Sequence, residues 1–221
     1  VAVNTEGKRE IVGLHIGPSE AEIFWSTFLK SLVKRGLRGT KLVISDAHEG
    51  LKAAIRRVMG STWQRCRVHW MRNAQSYAPK GQQNMVSAAL RQAFIQPDRT
   101  SASHTLRLVA DQLRAKWTKL GAFIDDSETD VLAHMDFPAQ HRTKIHSTNP
   151  LERLNKEVKR RADVVGIFPN EGAIIRLIGA VLLGTNDEWQ LQHRYMQTEA
   201  MAELTPPLID AVPTQIPTAA T

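Results

Sequence analysis

KLVISDAHEGLKAAIRRVMGSTWQRCRVHW, residues 41–70, carries the alternation on which the fold reading turns. Lys41 to Ile44 is a short apolar run with two β-branched residues and reads as a buried strand ending at Ser45-Asp46. Leu51, Ala54, Ile55 and Val58 then recur at helical spacing as far as Gly60, a stop signal for a helix. Thr62 to Trp70 is rich in β-formers and is expected to be extended. Strand, helix, strand in this order is the sequence pattern of an α/β layer.

Working outward, Val1 to Val3 and Ile11 to Ile16 are apolar runs separated by Asn4-Thr5-Glu6-Gly7, the turn chemistry of a hairpin. Ser19 and Glu22 have capping-box spacing, and Phe24, Trp25, Phe28, Leu29, Leu32 and Val33 form a broad apolar stripe before Gly36, predicting an amphipathic helix. Residues 1–73 are therefore expected to form an α/β unit. Beyond Asn73 the periodicity predicts helices over 82–96, 101–120, 126–135, 149–163 and 170–184, with breaks at Pro79, Pro97, Pro138 and Pro169. Residues 74–147 read as an all-helical insertion, and 148–203 as helices that complete the core. Residues 204–221, with four prolines among Thr and Ala and no apolar period, are expected to be disordered.

The 221 residues are 42% hydrophobic and 23% charged, enough for a sizeable core. No apolar run approaches the ~20 residues needed to cross a bilayer, and the first residues carry no signal or transit pattern, so a cytoplasmic address and no membrane partner are expected. The single cysteine, Cys66, excludes an internal disulfide and a multi-cysteine zinc site. The net charge of +7 points to a polyanionic partner, with nucleic acid foremost. The charge is uneven: residues 1–122 hold 20 Lys and Arg against 8 Asp and Glu, whereas residues 123–221 hold 9 against 14.

Asp46 lies where a strand ends and a helix begins, the edge at which α/β folds gather ligands. It also has capping-box spacing to Glu49, so capping the helix is the competing role. Glu152 follows Ser147-Thr148-Asn149-Pro150-Leu151, where Asn149 is a natural cap and Pro150 suits the first helical position; Glu152 too sits at capping-box spacing. Leu151, Leu154 and Val158 should face the core, leaving Glu152, Asn155, Lys156 and Lys159 opposite. Two carboxylates from distant segments beside basic groups are what metal-assisted phosphoryl transfer requires. Glu157 is a nearby competitor for the second of them.

Cys66 and His69 form a Cys-x-x-His unit that lacks the partner pair of a four-ligand structural zinc site. In a strand, Cys66, Val68 and Trp70 would be buried, and Arg65, Arg67 and His69 would line the opposite face, extended by Arg72 into a cationic strip that reads either as a seat for a DNA backbone or as surface charge with no function. Lys156, Lys159, Arg160 and Arg161 form a second basic run, which reads either as a solvated helix face or as a phosphate contact. Trp189 reads as a packing residue, with stacking on an unpaired base as the alternative.

Taken together these stretches resemble the Mutator-type bacterial transposases. The resemblance rests on Gly7-Lys8-Arg9-Glu10-Ile11-Val12-Gly13, Ser45-Asp46-Ala47-His48-Glu49-Gly50-Leu51, Gln64-Arg65-Cys66 with Val68-His69, and Thr148-Asn149-Pro150-Leu151-Glu152-Arg153-Leu154-Asn155. Arg160-Arg161, Val165 to Asn170, Asp187-Glu188-Trp189 and Arg194-Tyr195-Met196 continue it in the same order. It implies a ribonuclease-H-like catalytic core with a large helical insertion and an Asp, Asp, Glu triad holding Mg²⁺ or Mn²⁺. The implied activity is cleavage at the ends of an insertion sequence followed by strand transfer into target DNA, by a homo-oligomer. Asp46 would be the second acid and Glu152 the third, with His69 in a supporting catalytic role. DNA contacts would come from Arg65, Arg67, Arg72, Asn149, Lys156, Lys159, Arg160 and Arg161. The family's first Asp belongs to a strand before the segment that starts at Val1, so the chain as given is expected to be an inactive fragment. A nuclease that cuts without joining, and a regulatory DNA-binding remnant, are the competing functions.

Overall fold

The computed structural model describes residues 1–17 and 21–204. It is mostly helical, with two small sheets. Strands β1 (Ala2–Val3) and β2 (Arg9–Glu10) form an antiparallel hairpin with Ala2 opposite Glu10. Asn4 organises the turn: its side-chain oxygen accepts from the amides of Glu6 and Lys8, and its backbone amide donates to Lys8 O. The second strand is thus Arg9–Glu10, whereas the apolar run Ile11 to Ile16, expected to pair, has no strand. The Ile11 amide is taken instead by Asn186 Oδ1, so a long-range side-chain bond replaces the ladder. Gly7 is required here. Its φ is 75°, and a Cβ would lie 2.1 Å from the carbonyl oxygen of Met196, whose amide donates to Gly7 O.

Helix α1 (Glu22–Lys34) follows; Ala21 caps it without a side-chain bond, and Ser19, expected to cap it, lies outside the described residues. Strand β3 (Leu42–Ser45), helix α2 (Glu49–Met59) and strand β4 (Thr62–Arg65) form the expected strand–helix–strand unit, with β3 and β4 parallel and Ser45 opposite Arg65. Gly60 ends α2 at φ 61°, the left-handed conformation typical of a helix stop. Leu29, Leu32, Ala54 and Ile55 form the buried centre between α1, α2 and this sheet, with Phe28, Val43 and Trp63 packed around them.

The extended reading of Thr62 to Trp70 fails halfway. The strand stops at Arg65, and α3 (Arg67–Ser76) begins, with Cys66 O accepting from the Trp70 amide. Burial explains the override of β-propensity. Cys66, Trp70 and Ala74 are fully buried at helical i, i+4, i+8 spacing, and the Trp70 indole donates to Ser127 Oγ at 2.6 Å while packing against Phe94 and Phe123. The helical segment continues through a 3₁₀ turn (Lys80–Gln82), α4 (Gln83–Phe94), α5 (Arg99–Arg114), α6 (Thr118–Val131), a second 3₁₀ turn (Ala133–Asp136) and α7 (Ala139–Ile145). The single helix expected over 101–120 is broken after Arg114, and the one over 126–135 is the end of α6 plus the 3₁₀ turn. Its core joins Trp70 to Leu90, Leu106, Leu120, Ile124 and Val131.

Gln64 ties that core to β4. Fully buried, its Nε2 donates to Val131 O (2.9 Å) and Arg65 O (2.6 Å), and its Oε1 accepts from the His134 amide (2.6 Å). Helices α8 (Asn149–Val165), α9 (Glu171–Leu191) and α10 (Glu199–Ala202) complete the described residues. Helix α9 is fastened to the hairpin by Lys8 Nζ on Gln190 O, Gln190 Nε2 on Arg9 O, and the Arg9 guanidinium 4.3 Å from the Trp189 ring centre. The tail expected to be disordered lies, after Leu204, outside the described residues. No helix among the described residues is long and apolar enough to cross a membrane.

Candidate active site

The site gathers where β3 and β4 end. Because the strands are parallel and Ser45 faces Arg65, both chains leave the sheet at the same edge, and the Cys66 amide donates to Ser45 O at 2.7 Å. Asp46 therefore emerges beside the start of α3. Its expected capping role is taken by His48, whose Nδ1 accepts from the Leu51 amide at 3.1 Å. Asp46 is exposed, and its Oδ1 accepts from the adjacent Ala47 amide at 2.7 Å. The Asp46–Glu49 capping box is not formed, because α2 begins at Glu49 and its cap position is His48, two residues beyond Asp46.

Helix α8 reaches the same edge from the far end of the helical segment. The Arg67 amide donates to His146 O at 2.9 Å, and Thr148 donates its backbone amide to Cys66 Sγ at 3.4 Å. Asn149, expected as the cap, is already the first helical residue; Thr148 occupies the cap position, and its hydroxyl is turned to Glu152 Oε1 at 2.7 Å. Pro150 fits the first turn, where its missing amide costs no bond. Of the three residues expected to face the core, Leu154 is buried, Val158 is half-buried and Leu151 is exposed.

Glu152 thus arrives against α3. His69 Nδ1 stands 3.7 Å from Glu152 Oε1, too long for a hydrogen bond, and this buried nitrogen has no partner. Ligand atoms of Cys66, His69 and Glu152 lie within 4.8 Å of one another. The Asp46 carboxylate is outside that group, although its backbone neighbours Cys66 across the sheet end. Glu157, the competitor acid, points elsewhere: Arg160 and Arg161 bond it at 2.8–3.0 Å, and these hydrogen bonds hold its pKa down at about 2.

The expected cationic strip is dismantled by the turn at Cys66. Arg65 and Arg67, instead of lining one strand face, lie 4.9 Å over the rings of Phe123 and Phe94, and burial lowers the pKa of both. Asp46 is the charge that opposes that shift at Arg65 most strongly. Arg72 is exposed on α3; Asn149, Lys156, Lys159, Arg160 and Arg161 are exposed on α8, the last two paired with Glu157. A cleft of ≈ 640 Å³ runs beside this helix, lined by Arg9, Arg153, Glu157, Arg161, Glu188 and Trp189.

Both carboxylates suit a hard divalent cation. Asp46 is open to solvent, and Glu152 Oε2 has no hydrogen bond among the described residues, leaving oxygen atoms of the kind Mg²⁺ and Mn²⁺ prefer. Sequence reasoning did not foresee Thr148 as the residue orienting Glu152, nor Cys66 as its neighbour; Thr148 lies four residues before Glu152, a helical spacing that permits the contact.

Residues 1–192 match a protein family described as "Transposase, Mutator family". The chain is 44% identical over 200 residues to the transposase for insertion sequence element IS1081 of Mycobacterium tuberculosis, covering 90% of this chain and 48% of that protein. It is 40% identical over 198 residues to the transposase for IS406 of Burkholderia multivorans, covering 89% of this chain and 51% of that protein. Against the transposase for IS256 in transposon Tn4001 of Staphylococcus aureus it is 41% identical over 192 residues, covering 86% and 49%. The chain spans about half the length of the curated relatives it matches.

Proposed function

The chain belongs to the Mutator family of transposases, and from that premise we propose that it contributes Asp46 and Glu152 to a ribonuclease-H-like site that cuts the ends of an insertion sequence and joins them to target DNA. The observation that carries the assignment is the delivery of Glu152, from the far side of the helical segment, to the sheet edge where Asp46 emerges.

Asp46 and Glu152 would hold Mg²⁺ or Mn²⁺. The chemistry supplied by such a cation would be activation of a water or a 3′ hydroxyl and stabilisation of the leaving oxygen of the phosphodiester. The protein's own residues do the positioning. The Thr148 hydroxyl fixes the rotamer of Glu152, and His69 Nδ1 stands 3.7 Å from the same carboxylate oxygen. Arg65, half-buried beside Asp46, supplies fixed positive charge near the phosphate being cut. Arg72, Asn149, Lys156 and Lys159, all exposed, would take DNA phosphates without reading sequence, and Arg160 and Arg161 would do so while sharing Glu157. The family's transposition chemistry calls for two ends and one target, which suits a homo-oligomer.

The test uses the complete protein and DNA carrying its element's ends. Asp46→Asn and Glu152→Gln should each lower 3′-hydroxyl release by at least about a hundredfold while leaving end binding intact; Glu157→Gln should stay near wild type. Full cleavage by Asp46→Asn, or loss with Glu157→Gln and not with Glu152→Gln, overturns the assignment.

A further inference from the structure

Three donor types converge at one point: the Cys66 sulfur from the cap of α3, the His69 imidazole one turn along the same helix, and the Glu152 carboxylate from the first turn of α8. We propose that these three residues form a binding site for a thiophilic divalent transition cation, of which Zn²⁺ is the type, distinct in chemistry from a magnesium site. One sulfur, one nitrogen and one oxygen with a fourth position left over is the ligand count of an open zinc site, and needs no second cysteine. Thiolate and imidazole are poor ligands for Mg²⁺, so the donor set itself discriminates between the two metals.

The geometry is close to what the cation needs. Tetrahedral zinc with ordinary bond lengths holds its ligand atoms about 3.4–3.6 Å apart. His69 Nδ1 and Glu152 Oε1 are already 3.7 Å apart, and the ligand atoms of the three residues lie within 4.8 Å of one another. One ligand is under-satisfied as it stands. His69 Nδ1 is buried without a partner. Thr148 Oγ1 lies 2.7 Å from Glu152 and 3.2 Å from Cys66 Sγ, so it can give its hydrogen to the carboxylate and accept the weak S–H of the cysteine, which ties two of the three ligands to one residue. Cys66 occupies the cap position of α3, and on binding a metal it would release its proton to solvent.

The binding claim rests on no part of the transposition reading. Its consequence does: a cation seated on Cys66 and His69 claims the carboxylate that the magnesium chemistry would use, so the site would act as a metal-selective brake.

Co²⁺, a spectroscopic stand-in for Zn²⁺, tests the site on the untagged chain under reducing conditions. The expected result is a near-ultraviolet sulfur-to-cobalt band with visible tetrahedral bands, all bleached by stoichiometric Zn²⁺ and indifferent to excess Mg²⁺. Cys66→Ser should remove the sulfur band, and His69→Ala and Glu152→Gln should each weaken cobalt binding at least tenfold, by analogy with the ~10–100-fold effects of even outer-shell changes. His69→Ala serves if Cys66→Ser fails to fold, since the cysteine is fully buried and the histidine is not. Absence of the sulfur band from the wild-type chain, its persistence in Cys66→Ser, or unchanged affinity in His69→Ala would overturn the proposal. Cleavage assays do not enter, so failure of the metal site and failure of the transposase assignment are separately readable.

Discussion

Replacing Gln64 by alanine should cost the fold about 3–7 kcal/mol, although Gln64 touches neither carboxylate. Its amide fills a fully buried slot between β4 and the end of α6, and its four polar contacts are all with buried or half-buried groups. Oε1 faces two donors of His134, and Nε2 faces the carbonyls of Val131 and Arg65, so the amide orientation is fixed by its surroundings. Truncation leaves the His134 amide and the Arg65 carbonyl each without the side-chain partner, at about 1–3 kcal/mol apiece when buried. The lost methylene packing adds about 1 kcal/mol. Some 4 kcal/mol corresponds to a fall in Tm of about 8–16 °C in a chain of this size. Urea unfolding followed by tryptophan fluorescence reads it, with Trp63 and Trp70 flanking the site of change. Gln64→Met, which keeps the volume and drops the hydrogen bonds, should lose most of the same stability, and Gln92→Ala, on the exposed face of α4, less than about 0.5 kcal/mol. A Gln64→Ala loss below about 1 kcal/mol, or a wild-type Gln64→Met, refutes the clamp.

Stability should also fall as pH drops from 7 to 5, before ordinary carboxylates titrate. Burial, with Arg67 and His146 nearby, pushes the His134 pKa from 6.5 to about 3, and burial lowers that of His146 as well. The unfolded chain therefore takes up protons that the folded chain refuses, and stability present above pH 6.5 is lost toward pH 3, with a limiting slope of about 1.4 kcal/mol per unit for His134 alone. A urea midpoint flat between pH 7 and 5 contradicts this. Duplex DNA should bind with log K falling linearly in log salt, at a slope of about −0.9 per phosphate neutralised; Lys156→Ala with Lys159→Ala should make that slope shallower by about 2. A slope unaltered by the pair removes α8 from the DNA surface.

What was legible in the sequence was local. Lys41 to Gly60 announces its strand and helix because the apolar period, the acid after the strand and the terminal glycine all agree. The turn at Cys66 was misread because Val68 and Trp70 favour strands; the competing signal, Cys66, Trp70, Ala74 and Ala78 at successive four-residue steps, is carried mostly by small residues. The break between α5 and α6 has neither glycine nor proline; the chain turns through Ala115-Lys116-Trp117. The two carboxylate segments were recognisable one by one, whereas the Thr148–Cys66 contact that joins them depends on tertiary packing that no local pattern encodes.

That contact also orders the events of folding. Thr148 and Cys66 are 82 positions apart, yet the chain between them is built of helices that pack on their sequence neighbours, α3 on α4, α4 on α5 and α5 on α6. Such contacts close short loops and form quickly, whereas the pairing of distant ends is slow when the loop between them is loose. The helical segment therefore serves as a prefabricated calliper: once its own core has set, the ends holding Cys66 and Glu152 are already facing each other. Leu106 and Ile124 belong to that core, so truncating either is expected to disturb the facing of Cys66 and Glu152 although neither residue is part of the site.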